Sequence, residues 1–378
     1  MQKIFLLTPG PTSVPPEVLS AQARPIIHHR TKEFEALFKR VAEDLKIVFK
    51  TKNPVLIFCS SGSGAMEASI ANLLSAGDKA LVVKGGKFGE RWEGMCKAFG
   101  VNVVPIELEW GDAVDPAVVK SHLDKDKDIK AVFTTLCETS TGVVTDIEAI
   151  GNIVKDTPAV LVVDAISGLG ACDMQTDNWH VDVCVSGSQK GLMIPPGLAF
   201  ESISDKALKM SESSTLPKYY YRWKAYFKSL EKNQTPWTPA VSLIVGLAEA
   251  LERMKKEGMD NVIARHAKLA DATRAAAKAL GLELFSKRPA DAVTAIKVPD
   301  GVDGKELKNT LDRKYDIKVA GGQAHLKGKI IRIAHLGYAN YTDVLVGISA
   351  LEMSLVDLGY KVELGKGVRA AEEILHVS

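Results

Sequence analysis

Apolar residues recur every three or four positions through "EFEALFKRVAEDLKIVF" (33–49), placing Phe34, Leu37, Phe38, Val41, Leu45 and Val48 on one stripe. That period predicts an amphipathic helix. Downstream the pattern alternates. Near-continuous apolar runs, "PVLIFCS" (54–60), "KALVVKGG" (79–86), "VNVVPIEL" (101–108), "IKAVFTTL" (129–136), "AVLVVDA" (159–165) and "VDVCVSGS" (181–188), read as buried strands. Helical stretches fall between them at 65–74, 88–100 and 146–155. Such alternation implies an α/β fold whose mainly parallel sheet is covered by helices on both faces.

Past about residue 240 the rhythm changes. Two long helical stretches, 240–258 and 259–281, precede short strands ("AVTAIKV", "KIIRIAH") with helices between and after them. This reads as a smaller α+β domain. The expected division is an extended, Pro-rich segment 1–16 with no helix before Pro16, a large domain 17–256 and a small C-terminal domain 257–378. The run "DKDKDIK" (124–130) is expected as a solvated turn.

In a sheet of this kind ligands bind where strands end at their carboxyl side. The polar clusters 60–64, 84–89, 137–142, 164–168 and 186–190 all follow strands. "SSGSGAMEAS" (60–69) joins a strand to a helix, where free amides favour an anion. It completes neither nucleotide fingerprint, since Glu67 stands where G-x-G-x-x-G needs its last glycine and no G-K-[ST] follows. A nucleotide-dependent oxidoreductase is therefore disfavoured. What remains is a small phosphate cradle of Ser63 with the amides of Gly64 and Ala65, or a plain tight turn.

Asp164 closes an otherwise apolar strand, a costly place for a carboxylate unless it is paired or caps the next turn through its own backbone. Lys190 lies in the neutral loop "SGSQKGLMIPPG" (186–197). A dry, uncharged setting lowers a lysine's pKa and leaves its amine free to attack a carbonyl. An acid, a lysine and a phosphate cradle at one sheet edge match pyridoxal 5′-phosphate (PLP), whose ring nitrogen needs a carboxylate and whose aldehyde needs an amine.

At these residues the chain resembles a known family. "CETSTGV" (137–143), "VVDAISGLG" (162–170) and "SGSQKGLMIPPG", with "LLTPGPTSVPPEV" near the start and "IIRIAHLG" (330–337), are similar to the class V aminotransferases of PLP fold type I, nearest the alanine–glyoxylate and serine–pyruvate group. The resemblance implies a large domain with a seven-stranded-type sheet and a homodimer with active sites at the subunit interface. It also implies that Lys190 bonds the cofactor and then moves protons, with Asp164 at the ring nitrogen. Thr139 would lie near the phenolic oxygen and Phe88 against the ring. Ser63, Gly64, Ala65 and Gln189 would hold the phosphate; a histidine of some members is replaced by Ala65, leaving only its amide. Thr235 and Thr238 would reach the partner subunit's phosphate, although a relative has tyrosine in place of Thr235. Arg332 and the backbone of Gly10 would bind the substrate carboxylate.

The implied reaction is a ping-pong exchange of an amino group from alanine or serine to glyoxylate or pyruvate. Alternatives are an aminophosphonate or aspartate as donor, or a non-catalytic subunit that keeps the fold. No cysteine follows Cys184, which removes the thiol a desulfurase would need. Hydrophobic residues at 46%, charged residues at 25% and a net charge of +2 suit a globular enzyme and offer no basic surplus for nucleic acid. Five cysteines without a C-x-x-C pair suit reduced thiols. With four apolar residues before Thr8 and no run of membrane-spanning length, the expectation is a soluble, cytoplasmic protein without membrane association. His28-His29-Arg30 could begin a helix and gate the pocket. Adjacent histidines diverge by about 100° on a helix, so no metal is expected.

Overall fold

The computed structural model describes residues 4–376. Among them seven strands form the main sheet: β1 (Val55–Phe58), β2 (Lys79–Lys84), β3 (Asn102–Glu107), β4 (Ile129–Thr135), β5 (Val160–Asp164), β6 (Val183–Gly187) and β7 (Ala199–Ile203). Their order is β1-β7-β6-β5-β4-β2-β3. All pairs are parallel except the two made by β7, which runs antiparallel between β6 and β1. Asp164 lies opposite Val185 in the β5–β6 ladder, so the carboxyl ends of these neighbours open side by side.

Helix α1 (Lys32–Phe49) begins where Thr31 accepts the Phe34 amide at 3.3 Å and buries Phe34, Phe38, Val41, Leu45 and Val48. Leu37, also on the expected stripe, is only partly buried. The helix starts at Lys32, so the histidine pair precedes it in a turn. One face of the sheet packs on α1 and on α4 (Val241–Glu257). The other packs on α2 (Gly62–Leu73), α3 (Lys87–Ala98), Trp223 and Tyr226.

Gly258, at φ +85°, separates α4 from α5 (Met259–Ala279). Beyond it, strands Val293–Lys297, Ile330–Ala334 and Ala320–Gly321 form an antiparallel sheet in that order. Leu307, Leu311, Leu351 and Leu355 from its helices pack against Ile296, Ile331 and Ile333. The N-terminal segment belongs partly to this layer. Phe5–Leu6 pairs parallel with Ile317–Lys318 and Leu7 joins its core.

Three expectations shift. Helix α2 begins at Gly62 rather than 65. A helix, Pro116–Lys125, capped by Asp115 through the Ala117 amide at 2.9 Å, takes in the start of the charged run. Strand β7 was not foreseen, because Glu201 at its centre interrupts the apolar run. Glu201 is fully buried and accepts from Trp223 Nε1 at 2.7 Å. No helix among the described residues is long and apolar enough to cross a membrane.

Candidate active site

The Lys190 loop is held by its own hydrogen bonds. After β6, Ser188 Oγ donates to Pro195 O at 2.8 Å and accepts from Leu198 N at 3.2 Å, while Met193 N donates to Lys190 O at 3.1 Å. The N-terminal segment crosses directly over the lysine. Lys190 Nζ donates to Pro9 O, and Thr12 Oγ1 donates to Lys190 O at 3.1 Å. Gly10 sits at φ +129°, and a Cβ there would land on the end of the lysine side chain. Only glycine allows this approach.

Burial pulls Lys190 down to about 8, against the opposing pull of the Asp164 carboxylate. Asp164 is 2% exposed and accepts the Ile166 amide at 2.8 Å, so it does cap its own turn. Burial still pushes it up to about 7, with the charge of Glu138 adding to the shift. An acid and an amine displaced toward each other across neutral pH mark a place built for proton handling.

Helix α2 begins earlier than the sequence suggested. Ser61 is the N-cap of α2, and Gly64 N already donates to Ser61 O at 2.8 Å. Ala65 is fully buried as the fourth helical residue, where the amide meets the N-cap carbonyl. Neither Gly64 nor Ala65 therefore offers a free amide; Gly62 and Ser63 do. Spacing alone could not locate the first helical residue of a glycine-rich turn. Ser63 Oγ accepts from Arg91 Nη1 at 3.0 Å. Gln189 Oε1 is buried without a hydrogen-bond partner among the described residues, close to Gly187 at the end of β6.

Phe88, in the first turn of α3, carries the Arg91 guanidinium 4.8 Å from its ring centre. Thr139 is buried and donates to Ser167 Oγ at 2.7 Å. Its carbonyl accepts from Arg332 Nη1 at 2.7 Å, and Gly321 O accepts from Arg332 Nε and Nη2 at 3.1 and 2.8 Å. Arg332 is thus a buried guanidinium that donates to neutral carbonyls, and a ligand carboxylate would be a stronger acceptor. Burial lowers its pKa, with the Glu138 charge opposing.

Two further expected residues lie on the segment before α4. Thr235 is buried with its hydroxyl donating to Trp237 O at 2.6 Å, and Thr238 faces solvent. Arg30 donates to Gln234 Oε1 and Thr235 O at 2.8 and 2.9 Å, tying the His28–Arg30 turn to that segment. Sequence reasoning passed over Arg91, Glu138 and Ser167. Arg91 lies one helical turn after Phe88, a spacing legible in "FGER", and Glu138 and Ser167 sit inside motifs already singled out.

These residues fit PLP. An acid and a depressed lysine stand on adjacent strand ends, and an aromatic ring is available as a wall. Two free helix amides, a serine hydroxyl and a glutamine whose Oε1 has no hydrogen-bond partner among the described residues gather where a phosphate would sit. Rotation of the glutamine amide presents its NH₂ in place of Oε1.

Comparison with known proteins agrees. The family described as Aminotransferase class-V matches residues 4–341, and the chain belongs to it. It is 45% identical over 379 residues to a soluble hydrogenase, small subunit, of Synechococcus sp. (strain PCC 6716), covering 99% of this chain and 98% of that one. It is 39% identical to an L-aspartate–glyoxylate aminotransferase of Paracoccus denitrificans (97% and 95% covered). It is 38% identical to a serine–glyoxylate aminotransferase of Methylorubrum extorquens (98% and 95%). The crystal structure of pyridoxamine–pyruvate aminotransferase from Mesorhizobium loti superposes with a TM-score of 0.95 at 29% identity, over 100% of this chain and 98% of that one.

Proposed function

We propose that this protein moves the amino group of a small amino acid, alanine or serine, to glyoxylate or pyruvate, with PLP seated between Asp164, Lys190 and the start of α2. The observation that carries this reading is the buried Asp164–Lys190 pair, with the acid raised to about 7 and the amine lowered to about 8. When bound, PLP supplies an aldehyde that condenses with amines and a ring that withdraws electrons from the carbon beside the substrate carboxylate.

The chain's residues do the rest. Asp164 would hold the proton on the ring nitrogen, and a cation placed there would return its carboxylate to the charged form. Lys190, with its depressed pKa, carries a proton to and from the substrate Cα. Arg332 receives the α-carboxylate in a bidentate pair that a lysine could not form. The segment Pro9–Thr12, lying over Lys190, excludes water, with Gly10 backbone near the same carboxylate. Gly62, Ser63 and Gln189 would hold the phosphate, Phe88 would cover the ring, and Thr139 would lie near the phenolic oxygen.

The same reading includes a homodimer in which Thr235 and Thr238 approach the partner's phosphate, a cytoplasmic location, and a division of the chain into a large domain 17–256 and a small domain 257–378. Tyr219, 77% exposed and 5.0 Å from the Trp237 ring on that segment, supports an interface there. Aspartate as donor is a second reading. Arg91 favours it, as a second guanidinium beside Ser63, and so does the name of the Paracoccus relative. The hydrogenase-subunit name of another relative suggests a non-catalytic role. A protein freed from chemistry would have no use for a buried acid and amine together.

The test is spectroscopic and kinetic. The purified protein with PLP should show a visible band that borohydride bleaches, with the reduced adduct mapping to Lys190. Lys190→Ala should lower transamination by about a thousandfold or more. Near-normal turnover in that variant would end the proposal. A panel of donors against glyoxylate, pyruvate and 2-oxoglutarate assigns the substrates, and preference for 2-oxoglutarate would refute the small-acceptor reading.

A further inference from the structure

Helix α3 starts without a cap of its own. The residue before it is Gly86, which has no side chain to accept from the first turn, and those amides need acceptors. A distant loop provides them. Phe88 N and Gly89 N both donate to Glu138 Oε2 at 3.1 Å, and Lys87 N donates to Ser140 Oγ at 3.0 Å. The other carboxylate oxygen, Oε1, accepts from the Ser140 amide at 3.1 Å and from the Ser140 hydroxyl. Glycine at 86 is a steric requirement of this clamp, because a Cβ there would overlap the Glu138 carboxylate.

Glu138 is 5% exposed, and no lysine or arginine forms a salt bridge with it among the described residues. Burial pushes its carboxyl up, while the Ser140 hydroxyl and the Gly89, Ser140 and Phe88 amides pull it back. What compensates its charge is the positive end of the helix, whose first three amides point at it and at Ser140. The next residue, Thr139, gives its carbonyl to Arg332 Nη1 at 2.7 Å. The aromatic wall, the Thr139 hydroxyl and the carboxylate-binding guanidinium are therefore all joined through residues 86–89 and 138–140.

We infer that Glu138 is a positioning residue, a remote helix cap that holds Phe88 and the Thr139–Arg332 arm in one rigid frame around the cofactor ring. The inference rests on the aminotransferase reading above. Glutamine in its place can accept at one end only, so its NH₂ must face either the two helix amides or the Ser140 N–H.

Amide exchange in the PLP-free protein reads the cap directly. In Glu138→Gln the amides of Lys87–Gly89 should exchange at least about tenfold faster than in wild type, with the distal half of α3 unchanged. The dissociation constant for PLP should rise about tenfold, and the visible circular dichroism of the bound cofactor should weaken as the Phe88 wall loosens. Ser140→Ala removes only the Lys87 acceptor and the hydroxyl donor to Glu138. It should act in the same direction by about threefold, and it decides the matter should Glu138→Gln fail to fold. Unchanged exchange at 87–89 in Glu138→Ala, which leaves no acceptor at either end, overturns the cap. Faster exchange with unchanged PLP affinity and dichroism overturns the positioning role alone. A wild-type protein that takes up no PLP overturns both this inference and the proposed function.

Discussion

Lys190 makes the state of a single proton measurable in the folded protein. Its pKa falls from 10.5 in the open chain to about 8 in the fold, burial being the first cause. Between those values the unfolded chain binds more protons than the folded one, so stability rises with pH across that window. The PLP-free wild type should therefore gain about 3 kcal/mol from pH 8 to 10.5 relative to Lys190→Met. Denaturant titrations at several pH values measure this, and parallel curves for the two proteins would contradict the burial of a charged amine. Arg332 admits a kinetic test. Arg332→Lys keeps the charge but loses the planar fork, so KM for donor and acceptor acids should rise about 10- to 100-fold, with kcat less affected. Unaltered KM values would place the carboxylate elsewhere.

Strand β7 shows how an element tolerates a residue its pattern argues against. Glu201 Oε2 accepts from Trp223 Nε1, and Oε1 lies 2.5 Å from Ser69 Oγ, whose hydroxyl also reaches Ala65 O at 3.1 Å. Burial raises its pKa to about 8, against the Ser69 and Trp223 hydrogen bonds. A protonated carboxyl that donates to Ser69 and accepts from Trp223 satisfies the set, so the strand carries a neutral acid at pH 7. The folded state then holds a proton the unfolded chain has released, and stability falls as pH rises from 4.5 to about 8. Glu201→Gln offers the same donor and acceptor without the titration. It should fold normally and be stabilised by about 1–3 kcal/mol at pH 8 and above, with a flatter pH profile. Strong destabilisation at every pH, followed by circular dichroism, would show that the carboxylate is ionised and needed as such.

At the scale of the whole molecule, the site draws on segments far apart in the chain. Pro9 and Gly10 arrive from a segment whose strand pairs with Ile317–Lys318, Asp164 and Lys190 from the large sheet, and Arg332 from the small one. Motion between the layers should therefore act on carboxylate binding and on shielding of the lysine together. Tyr219, Tyr220 and Trp237 form a stacked aromatic surface beside Thr235 and Thr238. Sedimentation of the wild type should give a dimer. Trp237→Asp should shift it toward monomer and weaken PLP binding at least about tenfold, since a hot-spot aromatic contributes about 2 kcal/mol or more. A monomeric wild type with full PLP affinity would remove the partner's threonines from the site.

The alternation of apolar strands and amphipathic helices was enough to read an α/β fold with a mainly parallel sheet. Asp164 and Lys190 stood out because a charge at the end of a buried strand, or in a neutral loop, is costly without a purpose. Those are local signals, set by period and by desolvation. The start of α2 at Gly62, the antiparallel insertion of β7 and the capping of α3 by Glu138 were decided only in three dimensions. Each depends on which distant group satisfies an amide or a carboxylate, and one-dimensional spacing holds no record of that partner.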